Sequence, residues 1–143
     1  MRALLSTAAV AIIAAAGLAA TASPAAAATP QCTRSGTEYG AYGYLIIPVS
    51  SGGSSSCWLA QGSVSSAVTA LQQVLNCNGK AGTPLSVDGD FGPATKNAVI
   101  GYQRWINSVG GNLAVDGVYG PNTEDAIGRL PRVSDGACVP RGG

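Results

Sequence analysis

One stretch of this chain is written twice. Residues 85–99, Leu-Ser-Val-Asp-Gly-Asp-Phe-Gly-Pro-Ala-Thr-Lys-Asn-Ala-Val, return as residues 113–127, Leu-Ala-Val-Asp-Gly-Val-Tyr-Gly-Pro-Asn-Thr-Glu-Asp-Ala-Ile, with eight of the fifteen aligned positions identical. Average composition would give roughly one such identity. Two copies this dense commit the chain to the same local shape in two places. In each, Asp88-Gly89 or Asp116-Gly117 makes a tight turn, because the carboxylate accepts nearby backbone N–H groups and glycine takes positive φ. The aromatic that follows, Phe91 or Tyr119, turns inward as an anchor. Gly92-Pro93 and Gly120-Pro121 then open helices, since proline at the first helical position gives up only an N–H that had no intrahelical partner.

A first helix precedes the repeat. Val64, Val68, Leu71 and Leu75 recur at helical spacing, Ser63 or Ser65 is placed to cap the start, and Asn76-Cys77-Asn78-Gly79 supplies the stop. The second helix is expected over 93–106, with Ala94, Ala98, Tyr102, Trp105 and Ile106 near one face, and the third over 121–130, ended by Pro131. Gly110-Gly111 separates the second helix from the second loop. Residues 29–57 form a Gly/Ser/Tyr-rich extension in which 45–49 reads as a short strand ended by Pro48 and 50–56 as flexible chain. This extension is expected to pack weakly except where Cys32 pins it. The expected fold class is therefore all-α: a compact three-helix domain over 58–131 with two Asp-Gly turn loops, plus a short irregular or β N-terminal extension and a tail at 132–143.

Composition removes whole classes of function. The chain has no histidine, which excludes Ser-His-Asp and Cys-His nucleophilic catalysis and imidazole-ligated zinc. Residues 1–28 have one cationic residue, Arg2, an apolar run of Ala, Leu, Ile and Val, and the small-residue exit Ala26-Ala27-Ala28, the pattern of a secretory signal peptide. The remaining chain has seven basic and seven acidic residues, so it lacks the basic field that nucleic-acid binding requires, and no membrane association is expected after cleavage. An exported monomer is expected. Its four cysteines, Cys32, Cys57, Cys77 and Cys138, suit two disulfides in an oxidising compartment. Spacing allows three connectivities, among which Cys57–Cys77 and Cys32–Cys138 are preferred because the first pair flanks one helix and the second ties the ends. Asp88-Gly89-Asp90 lacks the alternating oxygen ligands and closing glutamate of a calcium loop, and Glu38 and Glu124 do not make a glycosidase pair. No metal and no cofactor is expected.

Val68-Thr69-Ala70-Leu71-Gln72, then Val87-Asp88-Gly89-Asp90-Phe91-Gly92-Pro93-Ala94-Thr95, then Ala98-Val99 and Tyr102-Gln103, and finally residues 115–123 resemble the peptidoglycan-binding domain found as a cell-wall anchor on bacterial amidases, carboxypeptidases and phage lysins. The likeness covers about residues 58–131. It implies a three-helix domain that recognises murein, the glycan strand with its peptide stems, without catalysis. One departure is Tyr102-Gln103, where the family reads Phe-Gln. Another is that the extension before Cys57 and the tail after Pro131 are expected to be too short to bury a second, catalytic core.

A murein groove needs an aromatic or apolar floor with a few neutral donors and one or two charges. Tyr102, Gln103, Arg104 and Asn107 on the second helix, with Tyr119 and Asn122 in and after the second loop, supply that set. Trp105 shares the Ala98 side and is read as core, with ligand stacking as its second reading. Arg104 is read either as solvated or as the partner of a stem carboxylate through its planar fork. Asp88, Gly89, Asp116 and Gly117 are read as turn formers, and Gln72 and Gln103 as candidates to bond loop backbone. The competing expectation is a protein-interaction module that docks a separate exported enzyme or other protein through residues 39–44.

Overall fold

The computed structural model describes residues 28–40, 43–79, 84–127, 132–134 and 137–139. The expected signal peptide lies almost wholly outside them, as do Leu130 and Pro131. In chain order the elements are β1 (Cys32–Gly40), β2 (Gly43–Ser50), α1 (Ser66–Asn78), α2 (Pro93–Ser108), α3 (Pro121–Ile127), β3 (Arg132–Ser134) and β4 (Ala137–Val139).

The helices arise where the sequence places them. α1 buries Ala67, Val68, Leu71, Val74 and Leu75 and stops at Gly79, whose φ of 59° is the left-handed conformation that ends helices. Ser65 sits at its N-cap position, but its hydroxyl makes no capping bond. Its backbone serves instead, accepting from the Val68 N–H and donating to the Gly89 carbonyl. Pro93 opens α2, which runs two residues past the expected end.

All-α is the wrong class. β1 and β2 form an antiparallel ribbon pairing Glu38 with Leu45 and Ser35 with Pro48, and β3 pairs with β4 in the expected tail. Pro48 does not end β2, which continues to Ser50. In a two-stranded ribbon each strand keeps one open edge, where a missing N–H costs no ladder bond. The extension is also not loosely attached: Cys32, Ile47, Val49 and Ser50 are buried, and Ser66 on α1 accepts the Ser35 N–H at 3.1 Å. Residues 50–54 form an ordered turn, with the Gly53 N–H on the Ser50 carbonyl at 2.9 Å and the Ser54 N–H on the Ser50 hydroxyl at 3.2 Å.

The disulfide pattern differs as well. Cys32 is bonded to Cys57, with their Cα atoms 5.1 Å apart, which rules out both preferred bridges; Cys77 is also disulfide-bonded. Backbone pairing explains the choice. The Cys32 N–H donates to the Trp58 carbonyl and the Trp58 N–H to the Pro30 carbonyl, so the start of β1 lies alongside the segment that leads into α1.

That same segment joins the two repeat copies. Leu59 and Tyr119 exchange both backbone bonds at 2.7 and 2.9 Å, while Phe91 donates to Ser63 and accepts from Gly62. Phe91 and Tyr119 are thereby held inward, buried in one core with Leu59, Leu71, Val99 and Tyr102.

Candidate functional site

Each loop is built on a glutamine from the helix before it. The Gln72 amide donates to the Asp88 carboxylate (2.8 Å), the Asp90 carbonyl (3.0 Å) and the Thr95 hydroxyl (3.1 Å), and its oxygen accepts the Asp88 and Gly89 N–H groups at 3.1 and 3.0 Å. Gln103 repeats the pattern on Asp116, Val118 and Thr123 and on the N–H groups of Asp116 and Gly117. One turn on, Asn76 clamps both backbone groups of Leu85, and Asn107 clamps those of Leu113. The duplicated unit is therefore larger than the loop: it begins with a Gln-x-x-x-Asn helix face. Gly89 (φ 76°) and Gly117 (φ 73°) lie in the left-handed region and press against the preceding helix, where a Cβ would meet Thr69 Oγ1 at 3.0 Å or Lys96 Cγ at 2.7 Å. The Asp90 N–H, and after it the Gln72 amide, hold the Asp88 carboxyl below the usual carboxylate range against a smaller opposing effect of burial.

These networks decide which predicted site residues a ligand could meet. Tyr102, Gln103 and Tyr119 are 0–1% exposed, and the side chain of Gln103 is committed to the second loop. Asn107 is half-buried with both its amide atoms engaged. Arg104 and Asn122 are exposed. The structure does not gather the six into one surface. Side chains of Tyr39, Tyr42 and Tyr44 lie outside what is described.

Two shallow grooves flank α2. The first, about 450 Å³, lies between the residue 84–90 loop and the N-terminal turns of α2, with Leu85, Ala94, Asn97 and Ala98 in its lining and Asp88 and Asp90 at its acidic rim. The second, about 420 Å³, lies between the C-terminal end of α2 and α3. Trp105, Ile106 and Leu113 provide its apolar surface, and Asn112, Asn122 and Asp125 its polar groups. Trp105 thus serves both readings, packing on the core on one side and facing the groove on the other. Tyr102, Gln103, Arg104, Asn107 and Tyr119 do not line this groove; Asn122 does. Ile106, Asn112 and Asp125 were missed. The apolar-next-to-amide pattern around the Gly110-Gly111 break signals Ile106 and Asn112 in the sequence, and nothing there marks Asp125.

The two grooves are the same place in the repeat. Pro84 corresponds to Asn112, Leu85 to Leu113, Ala94 to Asn122, Asn97 to Asp125 and Ala98 to Ala126, each pair lining its own groove. Among the described residues, no lysine or arginine lines either one.

Residues 64–127, the span that contains the glutamine-braced repeat, match the model of a family described as "Putative peptidoglycan binding domain". Over this span the chain is similar to the peptidoglycan-binding domain family. Among solved structures, the chain is similar to a crystal structure of a peptidoglycan-binding protein from Clostridioides difficile in complex with glutamine hydroxamate, at 27% identity and a TM-score of 0.47. The match covers 66% of this chain and 57% of that protein, less than two thirds of its length. No curated protein matches.

Proposed function

We propose that this chain is exported and grips bacterial peptidoglycan noncovalently through the second groove, between the C-terminal end of α2 and α3. One observation carries the reading: within a domain similar to the peptidoglycan-binding family, that groove joins an aromatic and apolar floor to neutral amides and a single carboxylate. Trp105, Ile106 and Leu113 suit the apolar face of a sugar ring or an alanine methyl. The Asn112 and Asn122 amides both donate and accept, as N-acetyl groups and peptide bonds require, and Asp125 complements an ammonium. Arg104, exposed on α2, is available to a stem carboxylate beyond the groove.

A binding role without bond transfer is supported by a chain that has no histidine. Export is supported by the N-terminal apolar run and by the Cys32–Cys57 disulfide. Among the described residues, no helix is long and apolar enough to cross a membrane. The test is sedimentation of purified protein with insoluble, dye-labelled murein. The chain is expected in the pellet with no dye released. Protein left in the supernatant overturns the binding reading, and soluble dye overturns the noncatalytic one.

A further inference from the structure

The repeat builds its concavity twice, and we propose that the first groove is a second subsite for the same polymer, holding an ammonium-bearing peptide stem next to the segment seated in the second. The inference rests on the peptidoglycan reading above. Three observations carry it.

The grooves are equivalent in the repeat and close in size, about 450 and 420 Å³, so a loop that shapes one concavity for a murein unit shapes the other similarly. They also share α2 as a wall. Ala94 in the first groove and Trp105 in the second are eleven residues apart on this helix, which at 3.6 residues per turn returns them to the same flank, about 16 Å apart along the axis. Gly101 stands between them on that flank and puts no side chain in the way. About five residues of extended peptide span that distance, so one stretch of polymer reaches both grooves.

Charge then separates the occupants. The second groove has Trp105 and asparagines with one carboxylate. Among the described residues, the first has no aromatic lining and carries Asp88 and Asp90 at its rim, with no basic residue in the lining. Asp88 Oδ1 is taken by the Gln72 amide and the Asp90 N–H, and both aspartates are exposed. A free amine on a peptide stem complements this rim, while a sugar face complements Trp105.

The experiment is calorimetric titration of the full exported chain with soluble murein fragments of two lengths, one disaccharide with its stem and an oligomer of several. Ala94→Glu fills the first groove at an exposed position in the first turn of α2, where an added carboxylate favours the helix, and Asn97→Arg provides a second, chemically opposite block. Circular dichroism and melting confirm that both variants fold. The oligomer is expected to bind wild type at least tenfold more tightly than the single unit, through effective concentration. Both variants are expected to lose that gain while keeping single-unit binding. Acetylating the stem amine should weaken the oligomer more on wild type than on Ala94→Glu, where only Asp125 of the second groove still faces an ammonium. Oligomer affinity unchanged in both variants overturns the second subsite alone. Wild type that binds neither length overturns the peptidoglycan reading itself, and the second subsite with it.

Discussion

Gln103→Ala removes the post on which the second loop stands. The wild-type side chain is 1% exposed and makes five hydrogen bonds, three donated and two accepted, at 2.9–3.4 Å. Not all five losses count equally. Asp116 Oδ1 keeps the Val118 N–H at 2.9 Å, and the Thr123 hydroxyl keeps the Val118 carbonyl at 3.3 Å. The Asp116 N–H and the Val118 carbonyl are near enough to the surface to recover water. The Gly117 N–H is in a buried bond and is left without its acceptor, which costs about 1–3 kcal/mol. With the loss of the remaining bonds, the total comes to roughly 2–4 kcal/mol. At about 4–8 °C per kcal/mol for a domain of this size, melting should fall by roughly 8–30 °C. Gln72→Ala should cost a comparable amount, since its five bonds repeat the pattern. Thermal and urea unfolding followed by circular dichroism reads both. A loss under about 0.5 kcal/mol in either variant, the size of an ordinary surface change, would refute the claim that these glutamines brace the loops.

Three further outcomes follow from the same geometry. Replacing Cys32 and Cys57 together by serine opens a bridge of sequence separation 25 and should lower stability by about 3.5 kcal/mol on the chain-entropy estimate, read by urea midpoint; an unchanged midpoint contradicts the anchoring of the extension. The Tyr102 hydroxyl is buried without a hydrogen-bond partner among the described residues, so Tyr102→Phe should leave stability equal or higher at neutral pH. Because burial raises its pKa above the usual value, the folded protein resists ionisation that the unfolded chain undergoes near pH 10. The stabilisation is complete below that pH and declines above it, and Tyr102→Phe should flatten this part of the alkaline melting profile. Asp88 has the opposite sign: its depressed pKa gives stability present above about pH 4 that fades as pH falls through the folded value, and Asp88→Asn should remove that acid-side slope.

The helical half of the molecule was legible because its signals are local. Proline at 93 and 121, glycine at 79, and the inward Phe91 and Tyr119 each stand where a backbone rule requires them, and the helices follow. The second strand of the ribbon was legible at residues 45–49 and the hairpin at its tyrosines, but the length of β1 was not, because β1 buries little of itself: Thr33, Arg34, Ser35, Thr37 and Glu38 are exposed. A strand that is polar on both faces has no period to read, and its order comes from pairing with β2 and from Cys32. The bridge went unpredicted for the same reason, since it depends on backbone pairing between distant segments. At the candidate site, the spacing of aromatic and amide residues pointed to the right helix but not to its accessible side. Tyr102 and Tyr119 are large apolar anchors first, and Gln103 is spent on the loop. Trp105, assigned to the core by the helical period, lies at the edge of the buried face, where a side chain can serve both core and groove.

The most direct measurement is amide shift mapping of the labelled protein during titration with soluble murein fragments. The account predicts shifts that grow with ligand and concentrate at Trp105, Ile106, Asn112, Asn122 and Asp125. Spectra that do not change at saturating fragment, or shifts confined to surfaces away from α2 and α3, would contradict it.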